Sequence, residues 1–423
     1  MTVCLQCTGA GLVVVAICAA HCLAAEDWPQ WRGPRASGVA VAGNYPIKFS
    51  DEDSVAWKVE LPGVGCSTPI VWGDAIYVTS GDDGMDGVIC YGMDGRECWR
   101  HAFGPERPGK HRNGSGSNPS PVTDGKHLVV YFKSGTLACL SLDGEEKWHV
   151  NLQQQYGPDK LWWDLGTSPV LAGDRVIVAV MQSDNSYLAA FDLETGKELW
   201  KVPRMYDCTV ESDHAYTTPQ VVNVDGREQL VVWGADHLTG HDVDTGALVW
   251  ECGGFNPDNA PNWRVIASPT IEGDLAIVPY GRGEYLAGVR LGGKGDVTES
   301  ARVWEKQGRG LGSDVPTPAI RDGRAYILGD AGRIICLDVE TGDELWSDSL
   351  PRNRNKYFSS PVIGGDKLYA AREDGVIFVG RISDDGFELL AENDMGESTI
   401  AAPVPIRGGL LIRGREHLFR IED

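Results

Sequence analysis

The chain has 423 residues, and its 38 Lys and Arg against 60 Asp and Glu leave a net charge of −22. That balance argues against nucleic acid or an anionic membrane surface as a partner. The seven cysteines that follow residue 25 form no C-x-x-C pair, which argues against a zinc or dithiol-redox module.

Residues 1–25 carry no charged side chain, Leu12 to Ala20 is apolar, and Leu23-Ala24-Ala25 supplies small residues before Glu26. This reads as a secretory signal peptide cut near Ala25, so the mature chain is expected in the periplasm or outside the cell. No later run is apolar and long enough for a transmembrane segment. Neither Cys18 nor Cys22 follows a small residue, so lipidation is not expected. Residues 26–54 form an N-terminal arm, of which Trp28 to Tyr45 is a candidate to pack on the outside of the ring. Val55-Ala56-Trp57-Lys58-Val59 is the first strand.

From there the chain repeats. A small residue followed by proline recurs at Pro69, Pro121, Pro169, Pro219, Pro269, Pro318, Pro361 and Pro403, roughly every 40 to 50 residues. In phase with it run Trp57, Trp99, Trp148, Trp200, Trp250, Trp304 and Trp346. The clearest unit follows Pro169. Gly173-Asp174 is a turn, Arg175 to Val180 and Tyr187 to Asp192 are strands, Glu194-Thr195-Gly196-Lys197 is a tight turn, and Leu199-Trp200 opens a fourth strand. Four antiparallel strands per repeat and eight repeats predict an all-β fold, an eight-bladed β-propeller over residues 55–423. The eighth unit has three strands before the chain ends, so Val55 to Val59 is expected to complete it and close the ring. The fifth unit lacks the Gly turn between Val297 and Trp304, which leaves that connection open. The tryptophans are read as packing between neighbouring blades, with each indole N–H on a partner.

Four cysteines lie in residues 1–25. Cys90, Cys139 and Cys336 take the small buried position held by Ala190 in the third unit, as packing residues. Cys90 and Cys98 flank a turn and are a candidate bridge.

The stretch Ala190-Phe191-Asp192-Leu193-Glu194-Thr195-Gly196-Lys197-Glu198-Leu199-Trp200, repeated with single changes up to Trp250 and Trp346, resembles the pyrroloquinoline quinone (PQQ) repeat family. The resemblance spans roughly Val55 to Asp423 and implies the propeller. It implies two functional classes, quinoprotein dehydrogenases and propellers that bind no quinone, because function resides in the loops.

The loops entering the blades share one face. They bring Arg112, Asp164, His214, Arg264, Asp314, Arg354 and Lys356 toward the channel mouth, with Trp162, Trp163 and Trp263 beside them. These seven are the candidate ligand-binding residues, and Arg309 shares the basic rim. The arginines suit an anion such as PQQ, which carries three carboxylates. The alternative is that they pair with Asp164, Asp213 and Asp314. His214 is a candidate general base, oriented by Asp213 or Asp164, against a plain packing histidine. Asp314 and Asn262 have chemistry suited to a calcium ion that a quinoprotein would need. No residue is assigned as catalytic or as a metal ligand. The adjacent-cysteine disulfide of methanol-dehydrogenase-like quinoproteins is missing. The favoured reading is a secreted, non-catalytic scaffold that binds a protein, peptide or glycan on its loop face. The alternative is a PQQ- and calcium-dependent dehydrogenase of an alcohol or sugar.

Overall fold

In a computed structural model, residues 27–40 and 43–423 are described. The expected signal peptide lies outside the described residues. Eight antiparallel four-stranded sheets follow one another around a ring, as the repeat requires. The third is typical: Val170–Ala172 innermost, then Arg175–Val180, Tyr187–Asp192, and Glu198–Pro203 at the rim. Its two middle strands are buried along almost their whole length, because both faces of each sheet are covered by neighbouring blades. They therefore read as unbroken apolar runs. The eighth blade is completed by Val55–Glu60, which pairs with His417–Glu422, so the two ends of the chain close the ring.

Hydrogen bonds explain both repeat signals. The indole N–H of Trp148 donates to the carbonyl of Leu193 in the next blade at 2.9 Å. Trp57, Trp99, Trp200, Trp304 and Trp346 repeat the bond, onto Met93, Leu142, Val243, Val339 and Ser383. The turn glycine of the next blade lets the ring approach. A Cβ on Gly196, at φ +69°, would stand 2.5 Å from the Trp148 ring. Gly196→Ala is therefore expected to cost about 2 to 4 kcal/mol, summing left-handed backbone strain and overpacking. A thermal melt unchanged from the parent would contradict this. Trp250 is the exception. The fifth blade replaces its turn with a short strand, Gly295–Asp296, and the helix Thr298–Ala301. That strand adds in parallel to the edge of the fourth blade, and the Trp250 indole turns inward onto Gln229 at 2.7 Å.

The small residue before each anchor proline carries a hydroxyl in seven of eight blades. The backbone N–H of Thr68 donates to Ser120 Oγ, Ser120 to Ser168, Ser168 to Thr218, Thr218 to Ser268, Ser268 to Thr317, and Thr317 to Ser360, each at 2.9–3.0 Å. This girdle holds the inner strands around the axis until Ala402, which has no hydroxyl to offer Ser360.

The arm corrects one expectation. Only residues 43–54 run outside the ring, along the seventh blade, where Tyr369 Oη donates to the Pro46 carbonyl and the Phe49 N–H donates to Asn393 Oδ1. Residues 27–40 cross the end of the channel opposite the loop face. Trp28 pairs with Val71 in the first blade, and the Pro29 carbonyl accepts from Thr123 in the second. The Ser37 carbonyl accepts from Ile320 in the sixth, and Gly38 and Ala40 pair with Ile363 in the seventh. Arg32, 1% exposed, donates to the carbonyls of Pro361 at 2.6 Å and Pro318 at 2.8 Å. The apolar positions of the arm face the channel end rather than water, which is why it is not an external strap.

Candidate functional site

With one end stoppered, the channel is a blind cup of about 410 Å³ that opens on the loop face. Trp31 lies at its floor and the hydroxyl girdle forms its lower wall. Higher up stand Cys66, His111, Trp163, Asp164, Tyr216, Arg264, Ile266, Val315 and Phe358. The loops that supply them are the links between the outer strand of one blade and the inner strand of the next, so the rigid ring sets their positions.

Of the seven candidate residues, the structure brings Asp164 and Arg264 to the cup, with Asp314 directly behind Arg264. Asp164 accepts from the N–H of Lys110 at 2.8 Å, from the N–H of His111 at 3.0 Å, and from Lys133 Nζ at 2.5 Å. Lys133 is itself buried and also donates to the Pro108 carbonyl. Burial opposes ionisation of Asp164, but these donors outweigh it and hold the carboxyl below its ordinary value. Arg264 forks onto Asp314, with Nε at 3.0 Å. Asp314 in turn donates its N–H to Asp330 Oδ1 at 3.0 Å. Burial, then the Asp314 charge, pushes the Asp330 carboxyl up to about 6. A raised folded value means that the folded state keeps a proton the unfolded chain has lost. Its stabilising contribution is full below the unfolded value of roughly 4 and is lost as pH rises through about 6. Asp330→Asn should remove that decline from the plot of melting temperature against pH; an unchanged slope would refute the assignment.

The other four candidates lie off the cup. Arg112 is drawn to Glu373 at 2.8 Å, a buried carboxylate that also takes Asn113 Nδ2 and the Lys356 N–H. Arg354 and Lys356 extend into solvent. His214 is buried, stacked under Trp162 at 5.1 Å between ring centres, with Nε2 3.0 Å from Ser183 Oγ. Burial lowers its pKa. Its hydrogen-bonding partner is thus a serine hydroxyl, and neither Asp213 nor Asp164 orients it. The expected anion-binding convergence is not formed, because local carboxylates take Arg112 and Arg264 while Arg354 and Lys356 extend away into solvent. Asp164 is saturated by an ammonium and backbone donors, and Asp314 by Arg264, so neither carboxylate is free for a calcium ion. The cup does not fit PQQ with its metal. Cys90 and Cys98 are free thiols, so the candidate bridge is not formed.

Sequence reasoning missed three features. Lys133 sits in the hairpin tip between His127–Tyr131 and Thr136–Ser141, the position that Asp330 and Glu373 hold in the sixth and seventh blades. Trp31 belongs to the arm. The third is a set of exposed apolar side chains on the loops entering the third and fourth blades, Trp162, Trp163, Met205 and Val210, which are 50%, 41%, 56% and 58% exposed. The hydroxyl series was present at seven anchors, but it carried no meaning until the girdle was seen.

These features define a closed eight-bladed propeller with a blind, loop-rimmed cup. The sequence profile of the family described as outer membrane protein assembly factor BamB matches residues 85–251, 144–299 and 295–389. The chain belongs to this PQQ-like propeller family. The outer membrane protein assembly factor BamB of Shewanella oneidensis is 23% identical to it over 346 residues, 76% of this chain and 75% of that protein. The structure of BamB from Moraxella catarrhalis matches at a TM-score of 0.60 and 17% identity, over 87% of this chain and 99% of that one. A quinohemoprotein alcohol dehydrogenase from Comamonas testosteroni matches at 0.66 and 13% identity, over 93% and 80%. An assembly factor and an oxidoreductase share this architecture, so the structural likeness speaks to fold alone. Among the described residues, no helix is long and apolar enough to cross a membrane.

Proposed function

We propose that this chain is a secreted, non-catalytic binding propeller whose loop face receives a segment of a protein or peptide partner, in the periplasm or outside the cell. The observation that carries this reading is the pair of exposed tryptophans at the cup mouth. Trp163 lines the cup, and Trp162 beside it stacks on His214 with half of its surface open to solvent. Aromatic side chains on a rigid rim are the usual energetic anchors of an interface. The cup behind them has an upper wall of aromatic and aliphatic side chains around Asp164 and Arg264, a hydroxyl lower wall and Trp31 at its floor, with room for one large partner side chain. Relatives described as an outer membrane protein assembly factor support a binding role over a catalytic one. Residues 1–25 support export. The same exposed rings also suit a glycan, and a sugar ligand is the alternative within the binding class. The dehydrogenase reading has the cup and Arg264 in its favour, and the pairing of Arg264 with Asp314 against it.

The test is a photo-crosslinking residue placed at Val210, used to recover the partner from the chain's own exported fraction, followed by titration of the purified pair. Trp162→Ala and Trp163→Ala together are expected to weaken binding by at least about 2 kcal/mol. The melting temperature should fall by no more than a few degrees, since both rings are half exposed. Unchanged affinity in the double variant would place the interface elsewhere.

A further inference from the structure

We propose that the seam between the first and second blades holds a hard divalent cation, of the calcium or magnesium class, between the carboxylates of Asp86 and Glu106 and the hydroxyls of Ser134 and Thr136. Asp86 lies in the strand Met85–Gly92 and is 0% exposed. Its Oδ2 accepts from Ser134 Oγ in the second blade, and its Oδ1 has no partner. Ser134 Oγ lies 3.0 Å from Thr136 Oγ1.

Glu106 enters from the loop that joins the two blades. Gly81 stands directly across the ladder from Asp86. A Cβ added at Gly81 would come within 2.6 Å of Glu106 Oε2. Cross-strand partners carry their side chains on one face, with Cβ atoms about 5 Å apart. The Glu106 carboxylate therefore fills the slot that glycine leaves open, next to the Asp86 side chain. Among the described residues it has no hydrogen-bond or ion-pair partner of its own.

The neighbouring cations are all committed elsewhere. Lys133, adjacent to Ser134, is on Asp164 and the Pro108 carbonyl. Arg107, adjacent to Glu106, is on Gln153 at 3.0 Å and Asp159 at 3.2 Å. Arg100 is on Glu97 and Asp82. Two carboxylates, Asp86 fully buried and Glu106 half-buried, thus share the seam with no counter-charge, whereas buried charges are paired or bind metal. Oxygen-only donors select a hard cation over zinc or copper. Such an ion would tie three chain segments from two blades beside the Lys133–Asp164 pair, stiffening the cup rim.

The test uses the purified chain, stripped with chelator and returned to calcium or magnesium chloride at neutral pH. Equilibrium dialysis should show one ion taken up at this site, with a saturable rise in melting temperature of several degrees. Asp86→Asn and Glu106→Gln should each abolish both effects. Glu397→Gln, at a grouping with Glu416 and His417 whose carboxylate already takes two backbone N–H groups, should leave them intact. Absence of uptake, or uptake unchanged in both seam variants, overturns the proposal. In that event, a metal-free chain that gains stability on acidification through neutral pH, and loses that gain in Asp86→Asn, would assign the pair a shared proton.

Discussion

Arg32→Ala is expected to lower the stability of the ring by about 3 to 5 kcal/mol, although Arg32 lies outside all eight repeats. Its guanidinium is fully buried and spans two blades, donating to the carbonyls of Pro318 and Pro361. Removing it leaves both carbonyls buried beside a void and takes away the side-chain link of the arm to the sixth and seventh blades, leaving the backbone bonds of Ser37, Gly38 and Ala40. The residue also holds φ +69°, in the left-handed region uncommon for a residue other than glycine. Burial depresses the guanidinium pKa to about 9, and the group stays charged at neutral pH. Lysine at this position preserves the charge but cannot reach two carbonyls with a planar fork, so Arg32→Lys should fall between parent and alanine variant. Thermal and denaturant unfolding would measure this. An alanine variant within about 1 kcal/mol of the parent would mean that the arm is an accessory and not a structural stopper.

Lys133→Met should cost a similar amount, about 3 to 5 kcal/mol at neutral pH, because it strands the Asp164 carboxylate in a closed site. The sign of its pH dependence is the sharper check. In the parent, Asp164 is held below its ordinary value, so its contribution is complete above the unfolded value of roughly 4 and is lost as pH falls further. In the variant the charge that favoured ionisation is gone, and the carboxyl moves upward. The difference between variant and parent should then shrink as pH is lowered toward 4. A difference that is flat with pH would show that Lys133 acts by packing alone.

The architecture was legible because it is periodic. Each repeat buries its middle strands on both faces, and the indole of one blade must find the turn of the next, so Gly196 and Trp148 record one contact twice. The departure at the fifth unit was legible as a missing turn, though not as the added strand Gly295–Asp296, which pairs outside its own blade. The site was much less readable. The loops entering the blades place Asp164 and Arg264 at the cup, with Asp314 paired to Arg264 behind it. Which charges remain free depends on partners far apart in sequence: Glu373 takes Arg112, and Lys133 takes Asp164, across spacings that follow no motif. The course of the arm was not legible for the same reason. Its aromatic and apolar residues carry no strand or helix period, so nothing in the order of residues indicated that it seals the channel.

The most direct test of a binding propeller against a quinoprotein is a calorimetric titration of PQQ into the purified chain, already saturated with calcium. The pairing of Arg264 with Asp314 and of Lys133 with Asp164 predicts no saturable heat at high micromolar quinone. Tight binding that disappears in Arg264→Ala would contradict the account and identify the cup as a cofactor site.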